Sequence, residues 1–307
     1  MLRISVPDDF PAVLATSAVF PALSARATLD YFDTLPGAGD KLIERIGQAE
    51  AVLNIRSSSR FTARVFDACP HLRLLSVWGT GTDHIDLDAA ARAGVTVTNT
   101  PGVSARSIAE HALALLFAVA RRIPLLDHAT RGGQWPRGSG VQLYRKTCGV
   151  IGYGAVGKRF AELATGIGMD VKVWTLHPER YPGMSFAELD DLYDTSDVLS
   201  VHLRLSPQTV GIIGAPQFER MKDSAILINT ARGAIVDEAA LVAALTDGRI
   251  AGAGLDVFTE EPLSGHNPLL ALSNAVLTPH CAGITPEALE AGLRMAVENI
   301  WDWEEAQ

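Results

Sequence analysis

Three glycines in the run Gly152-Tyr153-Gly154-Ala155-Val156-Gly157 have the spacing of a backbone turn that holds a diphosphate. Before it, Thr147-Cys148-Gly149-Val150-Ile151 is short, apolar and β-branched, as a buried parallel strand is, and residues 158–164 read as helix. In that setting Gly152 makes the tight turn, Gly154 lets backbone approach a pyrophosphate, and Gly157 lets the helix pack against the strand. Free N–H groups from Gly152, Gly154, Ala155, Val156 and Gly157, with the positive end of the helix dipole, are the expected diphosphate contacts. Three later segments carry polar groups suited to a reaction: Asn229-Thr230-Ala231-Arg232-Gly233, the stretch from Gly254 through Asp256 to Glu260-Glu261-Pro262, and Thr278-Pro279-His280-Cys281. Each places a polar residue just past an expected parallel strand, the edge at which open α/β sheets bind ligands. Taken singly, an arginine after a strand is commonly a solvated charge, Glu-Pro a turn, and a histidine after proline structural. Together they make an anion clamp, a carboxylate and a proton donor.

The elements that must position these residues alternate between short apolar strands and helical stretches, the pattern of parallel α/β architecture. Residues 2–6, 51–55, 74–77 and 96–98 read as strands of a first unit, with helices near 40–46, 62–68 and 87–93. After the breaker Asn99-Thr100-Pro101-Gly102, Ser104 is an expected N-cap, and residues 104–122 read as the longest helix. That stretch is apolar almost all round, so two domains or two chains are expected to cover it. A second unit has strands at 147–151, 171–174, 198–203, 225–228, 251–255 and 276–277, followed by a final helix over 288–303. Its stripe of Leu289, Leu293, Ala296, Val297 and Ile300 is expected to return to the first unit, because a lone helix cannot bury it.

With 307 residues and 48% hydrophobic content the chain can fill two cores. A net charge of −9 argues against nucleic acid or an anionic membrane as main partner. Cys69, Cys148 and Cys281 form no ligand spacing, so no metal site and a reducing cytoplasm are expected. The N-terminus lacks the apolar core of a signal peptide, and no apolar run of membrane-spanning length occurs.

The glycine turn and the Arg-Gly, Glu-Pro and Pro-His segments resemble the D-isomer-specific 2-hydroxyacid dehydrogenases, which include D-lactate, D-glycerate and 3-phosphoglycerate dehydrogenases. The likeness runs over essentially the whole chain, and takes in Trp78-Gly79-Thr80-Gly81-Thr82-Asp83-His84-Ile85-Asp86, Asn99-Thr100-Pro101-Gly102 and Ala109-Glu110-His111. It implies two Rossmann-like doubly wound domains with a cleft between them: a discontinuous substrate-binding domain (1–100 and 281–307) and a dinucleotide-binding domain (101–280). It also implies a homodimer, placed here through the 104–122 helix. Position by position, His280 matches the acid/base, Glu261 its carboxylate partner and Arg232 the substrate arginine; Glu261, not Glu260, directly precedes the proline. The chemistry agrees: reducing a 2-keto acid delivers hydride to C2 while the oxygen gains a proton. A histidine titrating near neutrality suits that task, and a neighbouring carboxylate favours its charged form. Arginine offers a planar fork for the substrate carboxylate. The loop Gly79-Thr80-Gly81 is expected to offer N–H groups to the same carboxylate, and Arg56 matches a position that reaches it in relatives. Asp256, with carbonyls near Thr230 and Ala231, is expected at the nicotinamide carboxamide.

The chain departs from the pattern at two positions. The acid that ends the second strand in NAD enzymes and bonds the ribose hydroxyls falls here at Thr175. Its loss removes the repulsion of a 2′-phosphate, which His177 or Arg180 could contact, while Glu179 is the substitute acid that would retain NAD. Between NAD and NADP this tips the reading to NADP. Arg145 stands where many relatives have glycine, without a functional account. An extra regulatory domain is not expected. The main reading is an oxidoreductase moving hydride between NAD(P)H and a 2-keto or D-2-hydroxy acid. The alternatives are a nucleotide-sensing corepressor-like protein of the same fold and a formate- or phosphite-type dehydrogenase; the latter would have a lysine near the glycine nest, which Trp78-Gly79-Thr80-Gly81 lacks.

Overall fold

The computed structural model describes residues 1–37 and 39–307. The chain divides into two compact units, Met1–Ser104 with Ile284–Gln307, and Ala105–Gly283. The first unit runs β1 (Arg3–Val6), α1 (Phe20–Arg26), β2 (Thr28–Tyr31), α2 (Gly39–Ile46), β3 (Ala51–Asn54), α3 (Ala63–Ala68), β4 (Leu74–Val77), α4 (Leu87–Arg92) and β5 (Thr96–Thr98). All its strand pairs are parallel, in the order β2-β1-β3-β4-β5. Central strands β3 and β4 are buried at every position, as the continuous apolar runs require. Sequence reasoning missed β2 and α1. Thr28–Tyr31 is an edge strand with no buried residue and so lacks the apolar run that announces a strand.

In the second unit come α5 (Ala105–Ala120), α6 (Ile123–Arg131), β6 (Thr147–Ile151), α7 (Ala155–Gly166), β7 (Asp170–Trp174), α8 (Leu189–Thr195), β8 (Val198–Val201), α9 (Ala215–Arg220), β9 (Ile226–Asn229), α10 (Glu238–Thr246), β10 (Gly252–Leu255) and β11 (Ala275–Leu277). Its six-stranded sheet is also wholly parallel, in the order β11-β10-β9-β8-β6-β7. Helix α5 packs across α7 and the β9–β11 end of this sheet. Two glycines in β10 make that approach possible: a Cβ on Gly254 would stand 2.9 Å from Leu115 Cβ, and one on Gly252 2.8 Å from a Val119 methyl. Much of the apolar circumference of α5 is therefore covered from within its own unit. Helix α6 follows after Arg122, whose left-handed backbone (φ 53°) breaks the helical run, and none of its residues is buried.

The last helix, α11 (Pro286–Glu305), has 20 residues against 16 in α5, so the 104–122 stretch is not the longest helix. Its buried face is Ala288, Gly292, Leu293, Ala296, Val297 and Ile300, with Leu289 half-buried beside it. Leu293, Ala296, Val297 and Ile300 join the core of the first unit with Ile4, Val6, Leu53 and Leu74. A glycine inside a helix costs about 1 kcal/mol against alanine. Gly292 is there because the Trp78 indole occupies the space that its Cβ would need. Arg145 also has a structural account. Its φ of 62° lies in the left-handed region, where glycine is unstrained, and its guanidinium sits 5.4 Å from the centre of the Tyr144 ring.

Candidate active site

The strand order of the second unit reverses between β6 and β8, the point at which a doubly wound sheet opens a crevice for a ligand. The glycine turn leaves β6 there. Gly152 has φ +101°, and a Cβ on it would lie 2.6 Å from the His202 carbonyl oxygen. A Cβ on Gly157 would collide with the Gly152 carbonyl, so the start of α7 rests directly on the turn. At Gly154 the equivalent space is open, with no atom within 4 Å. Gly154 is the N-cap of α7, and the N–H groups of Ala155, Val156 and Gly157 form its first turn, where no intrahelical acceptor exists. At the end of β9, the Thr230 hydroxyl is buried without a hydrogen-bond partner. An open phosphate-sized approach, unpaired N–H groups and an orphan hydroxyl at the strand edge together fit a nicotinamide dinucleotide.

Thr175 directly follows β7, and Gly152 N–H donates to the Trp174 carbonyl at 2.8 Å, so this residue stands beside the glycine turn. The segment after it folds back on the turn. Tyr181 O–H donates to the Tyr153 carbonyl at 2.6 Å, the two rings and Phe186 form one aromatic cluster, and Lys158 Nζ lies 4.5 Å from the Tyr181 ring centre. Glu179 is engaged by two cations, His177 Nδ1 at 3.2 Å and Arg180 Nε at 3.9 Å.

Arg232, Glu261 and His280 all lie in the second unit. The Asn229 side chain shapes the turn that presents Arg232: its Oδ1 accepts from Ala231 N–H and its Nδ2 donates to the Arg232 carbonyl, both at 3.0 Å. Gly233 lies so close to the backbone of Phe258 and Thr259 that a side chain would clash there, which sets the Arg232 turn against the loop that carries Glu261. Glu261 Oε1 accepts from Phe258 N–H at 3.0 Å, and Oε2 meets His280 Nδ1 at 2.7 Å. Burial acts to raise the Glu261 carboxyl, but the His280 bond and charge, the Phe258 N–H and the Arg232 charge outweigh it and hold the group below the ordinary carboxylate range. With Nδ1 engaged, Nε2 is the nitrogen that can meet a ligand.

Asp256 is wholly buried just past β10 and faces the histidine loop. Its Oδ1 accepts from Thr278 Oγ1 at 2.6 Å and Cys281 N–H at 2.9 Å, and its Oδ2 from Ala282 N–H at 2.8 Å. These bonds tie residues 281 and 282 to the second unit. His111, Asp256 and Cys281 bring three donor atoms within 4.8 Å of one another. The Asp256 oxygens already have these donors, and burial keeps the Cys281 thiol above its ordinary value, so the cluster is a hydrogen-bond network.

At the corresponding edge of the first unit the strand order reverses between β1 and β3. A buried carboxylate fills that point: Asp8 accepts from Asn54 Nδ2 at 2.5 Å, Ile55 N–H at 2.9 Å and Arg56 N–H at 3.3 Å. Burial pushes its carboxyl up in spite of those donors. Asn54 Oδ1 in turn contacts His84 Nε2 at 2.8 Å. Arg56 is half-buried, donates to the Pro11 carbonyl at 2.5 Å, and is drawn by the charges of Asp9 and Asp8, so it is not the loosely held surface arginine of the bland reading. In the loop after β4, the expected nest of N–H groups is smaller than the sequence suggests. Gly79 N–H already donates to Thr100 Oγ1 at 2.7 Å, and Thr100 N–H returns a bond to the Gly79 carbonyl at 2.9 Å. Thr80 and Gly81 remain as the N–H groups of that loop. Asp8 and Thr100 were not legible as parts of this edge; the acid pair directly after β1 was the available signal for the first.

A doubly wound unit with a glycine turn at its switch point and a histidine–carboxylate pair on the same sheet defines a dinucleotide-binding domain joined to acid/base machinery. The family model described as "D-isomer specific 2-hydroxyacid dehydrogenase, NAD binding domain" matches residues 113–282. The chain is 39% identical over 308 residues to a glyoxylate reductase of Aeropyrum pernix, covering 94% of this chain and 92% of that protein. It is 42% identical over 268 residues to a D-3-phosphoglycerate dehydrogenase of Archaeoglobus fulgidus, covering 85% of this chain but about half (51%) of that relative's length. Among solved structures, an acyclic imino acid reductase in complex with NADPH and D-Arg superposes with a TM-score of 0.91 at 30% identity, covering 99% of this chain and 98% of that one. The chain belongs to the D-isomer specific 2-hydroxyacid dehydrogenase family. Among the described residues no helix is long and apolar enough to cross a membrane.

Proposed function

We propose that this protein is an NAD(P)H-dependent reductase of small 2-keto acids to D-2-hydroxy acids, with His280 as proton donor. The observation that carries the reading is the 2.7 Å His280–Glu261 pair on the same parallel sheet as the glycine turn, with the Arg232 charge acting on Glu261. The second unit would be the dinucleotide domain, held through Gly152, Gly154, Ala155, Val156 and Gly157 at the diphosphate and Thr175 at the ribose. Thr230, Ala231 and Asp256 would face the nicotinamide half. The first unit would bind substrate, with Arg56, Thr80 and Gly81 at its sheet edge, and Gly79 as the turn held by Thr100. A bound nicotinamide supplies the hydride. Arg232 holds the substrate carboxylate with a fork of donors, and His280 Nε2–H gives its proton to the oxygen at C2 as negative charge develops there. Glu261 orients the imidazole and stabilises its charged form. The missing acid at Thr175, together with Glu179 held between His177 and Arg180, supports NADP over NAD. A panel of glyoxylate, hydroxypyruvate, pyruvate, phenylpyruvate and 3-phosphohydroxypyruvate, run separately with NADH and NADPH, tests the reading. No turnover of any member with either coenzyme would reject it. The likeness to an imino acid reductase bound to NADPH favours adding keto acid plus amine as a further arm.

Glu261→Gln is expected to move the pH profile of reduction. The donor must be protonated, so the rate is full at low pH and falls as the proton is lost. Removing the Glu261 charge takes away the partner of the protonated imidazole, so the high-pH limb should move to lower pH and kcat should fall. An unchanged limb, measured as kcat against pH, would break the pair.

A homodimer is the proposed assembly, in the reducing cytoplasm. Helix α6 has no buried residue, and Ile123, Trp135, Val141 and Tyr144 around it are exposed, which leaves apolar surface for a second copy. Light scattering should give twice the chain mass at micromolar concentration; the mass of one chain would reject the dimer.

A further inference from the structure

His280 projects from a turn that is not self-supporting. Its φ of 51° is left-handed, a conformation that costs a residue with a Cβ about 1–2 kcal/mol, and its N–H closes a tight bond of 3.0 Å to the Thr278 carbonyl. The surroundings must hold it. Asp256 does so from one side, accepting from the N–H groups of Cys281 and Ala282, the two residues that follow the histidine. From the other side Asp256 accepts from the Thr278 hydroxyl at 2.6 Å, two residues before it. One buried carboxylate thus grips both ends of the turn.

The chain of bonds continues to α5. His111 Nε2 lies 2.9 Å from Thr278 Oγ1 and 3.5 Å from Asp256 Oδ1. Thr278 has a single hydroxyl proton, and the short bond to Asp256 uses it. Thr278 Oγ1 must therefore accept at His111, which fixes the tautomer: Nε2 of His111 carries a proton. That proton also faces the Asp256 charge. His111 is half-exposed and stands on a 16-residue helix that packs on the β9–β11 end of the sheet, so it anchors the network to the most rigid element nearby.

We propose that His111 is a positioning residue for His280: by donating from Nε2 to Thr278, it orients the Thr278 hydroxyl onto Asp256 and so holds the left-handed turn from which His280 meets Glu261 and substrate. His111 touches neither the reacting atoms nor His280 itself. The inference rests on reading His280 as the proton donor, but its geometric content stands apart from that reading and is tested apart from it.

The experiment uses His111→Ala, His111→Gln, Thr278→Val, Thr278→Ser and the double variant His111→Ala/Thr278→Val. Glutamine can return an N–H to the same place and serine keeps the hydroxyl, whereas alanine and valine remove the link. Two readouts are taken: kcat with the best keto acid, and the ¹⁵N shift of the His280 Nδ1 resonance in ¹⁵N-histidine-labelled protein, assigned by its loss in His280→Gln. His111→Ala and Thr278→Val are each expected to lower kcat about tenfold or more, corresponding to roughly 1.4 kcal/mol, with the keto-acid KM within threefold. Both should shift the Nδ1 resonance, while His111→Gln and Thr278→Ser recover most of kcat and the original shift. The double variant should be no worse than the poorer single one, because residues acting in one chain are not additive. An unmoved resonance in His111→Ala overturns the proposal, as do multiplying single effects or a failure of glutamine and serine to rescue in folded protein. Undiminished turnover in His280→Ala would instead overturn the proton-donor reading, and the resonance would still report whether His111 positions the imidazole.

Discussion

His280→Ala should lower kcat for keto-acid reduction by about 10²–10⁴-fold while leaving coenzyme binding close to that of the wild type. The size follows from what surrounds the imidazole. Glu261 is held below the ordinary carboxylate range, so at neutral pH it has no proton to give. Cys281, the next residue, is pushed above its usual value by burial and by Asp256, which makes its thiol a poor acid. Neither neighbour can replace the lost donor, and water must do so without the orientation that Glu261 provides. The diphosphate turn lies at the end of β6, and coenzyme binding should not respond to the loss. Steady-state kinetics with fluorescence titration of NADH and NADPH check both halves. Near-normal turnover would remove His280 from the mechanism.

Thr175→Asp should shift coenzyme preference towards NAD by about ten- to a hundredfold in the ratio of kcat/KM values. A carboxylate there would accept from the ribose hydroxyls and repel a 2′-phosphate, and a charged hydrogen bond made or lost is worth roughly 1.5–3 kcal/mol. The pairing of β7 with β6 puts Thr175 beside Gly152, the position this argument needs. Separate kinetics with NADH and NADPH on wild type and variant decide the matter. A ratio that stays put would mean that the ribose meets other groups, with His177 the first to examine.

The parallel α/β character and the reacting residues were legible for a common reason: buried strands are continuous apolar runs, and ligand groups cluster just past their ends. Thr147–Ile151 with its glycines, and Arg232, Glu261 and His280 past β9, β10 and β11, all obey that rule. Elements with little burial escaped it. Edge strand β2 and the exposed helix α6 have no apolar periodicity to read. The length of α5 was overestimated because apolar composition continues past Ala120, while the break comes from the backbone of Arg122. Side-chain bonds across long sequence distances were also out of reach. Nothing local to Gly79 announces that Thr100 takes its N–H, and nothing near His111 announces Thr278, 167 positions away.

Gly233 leaves no space for a side chain against Phe258 and Thr259, so the interval between the Arg232 and Glu261 loops is written in main-chain atoms. Such a spacing cannot be tuned by small side-chain steps; it is kept whole or lost. Mutational libraries that seek a new substrate range should therefore leave residues 229–233, 256–262 and 278–282 fixed. Diversity belongs in the first unit, in the loop after β4, where a Cβ on Gly79 would meet no atom within 4 Å although its φ of +129° limits that residue itself. The neighbouring Thr80 and Gly81 are the more permissive choices, since their conformations do not require glycine-like freedom. In such a scaffold the chemistry is inherited as a block, and selectivity is the part left free to drift.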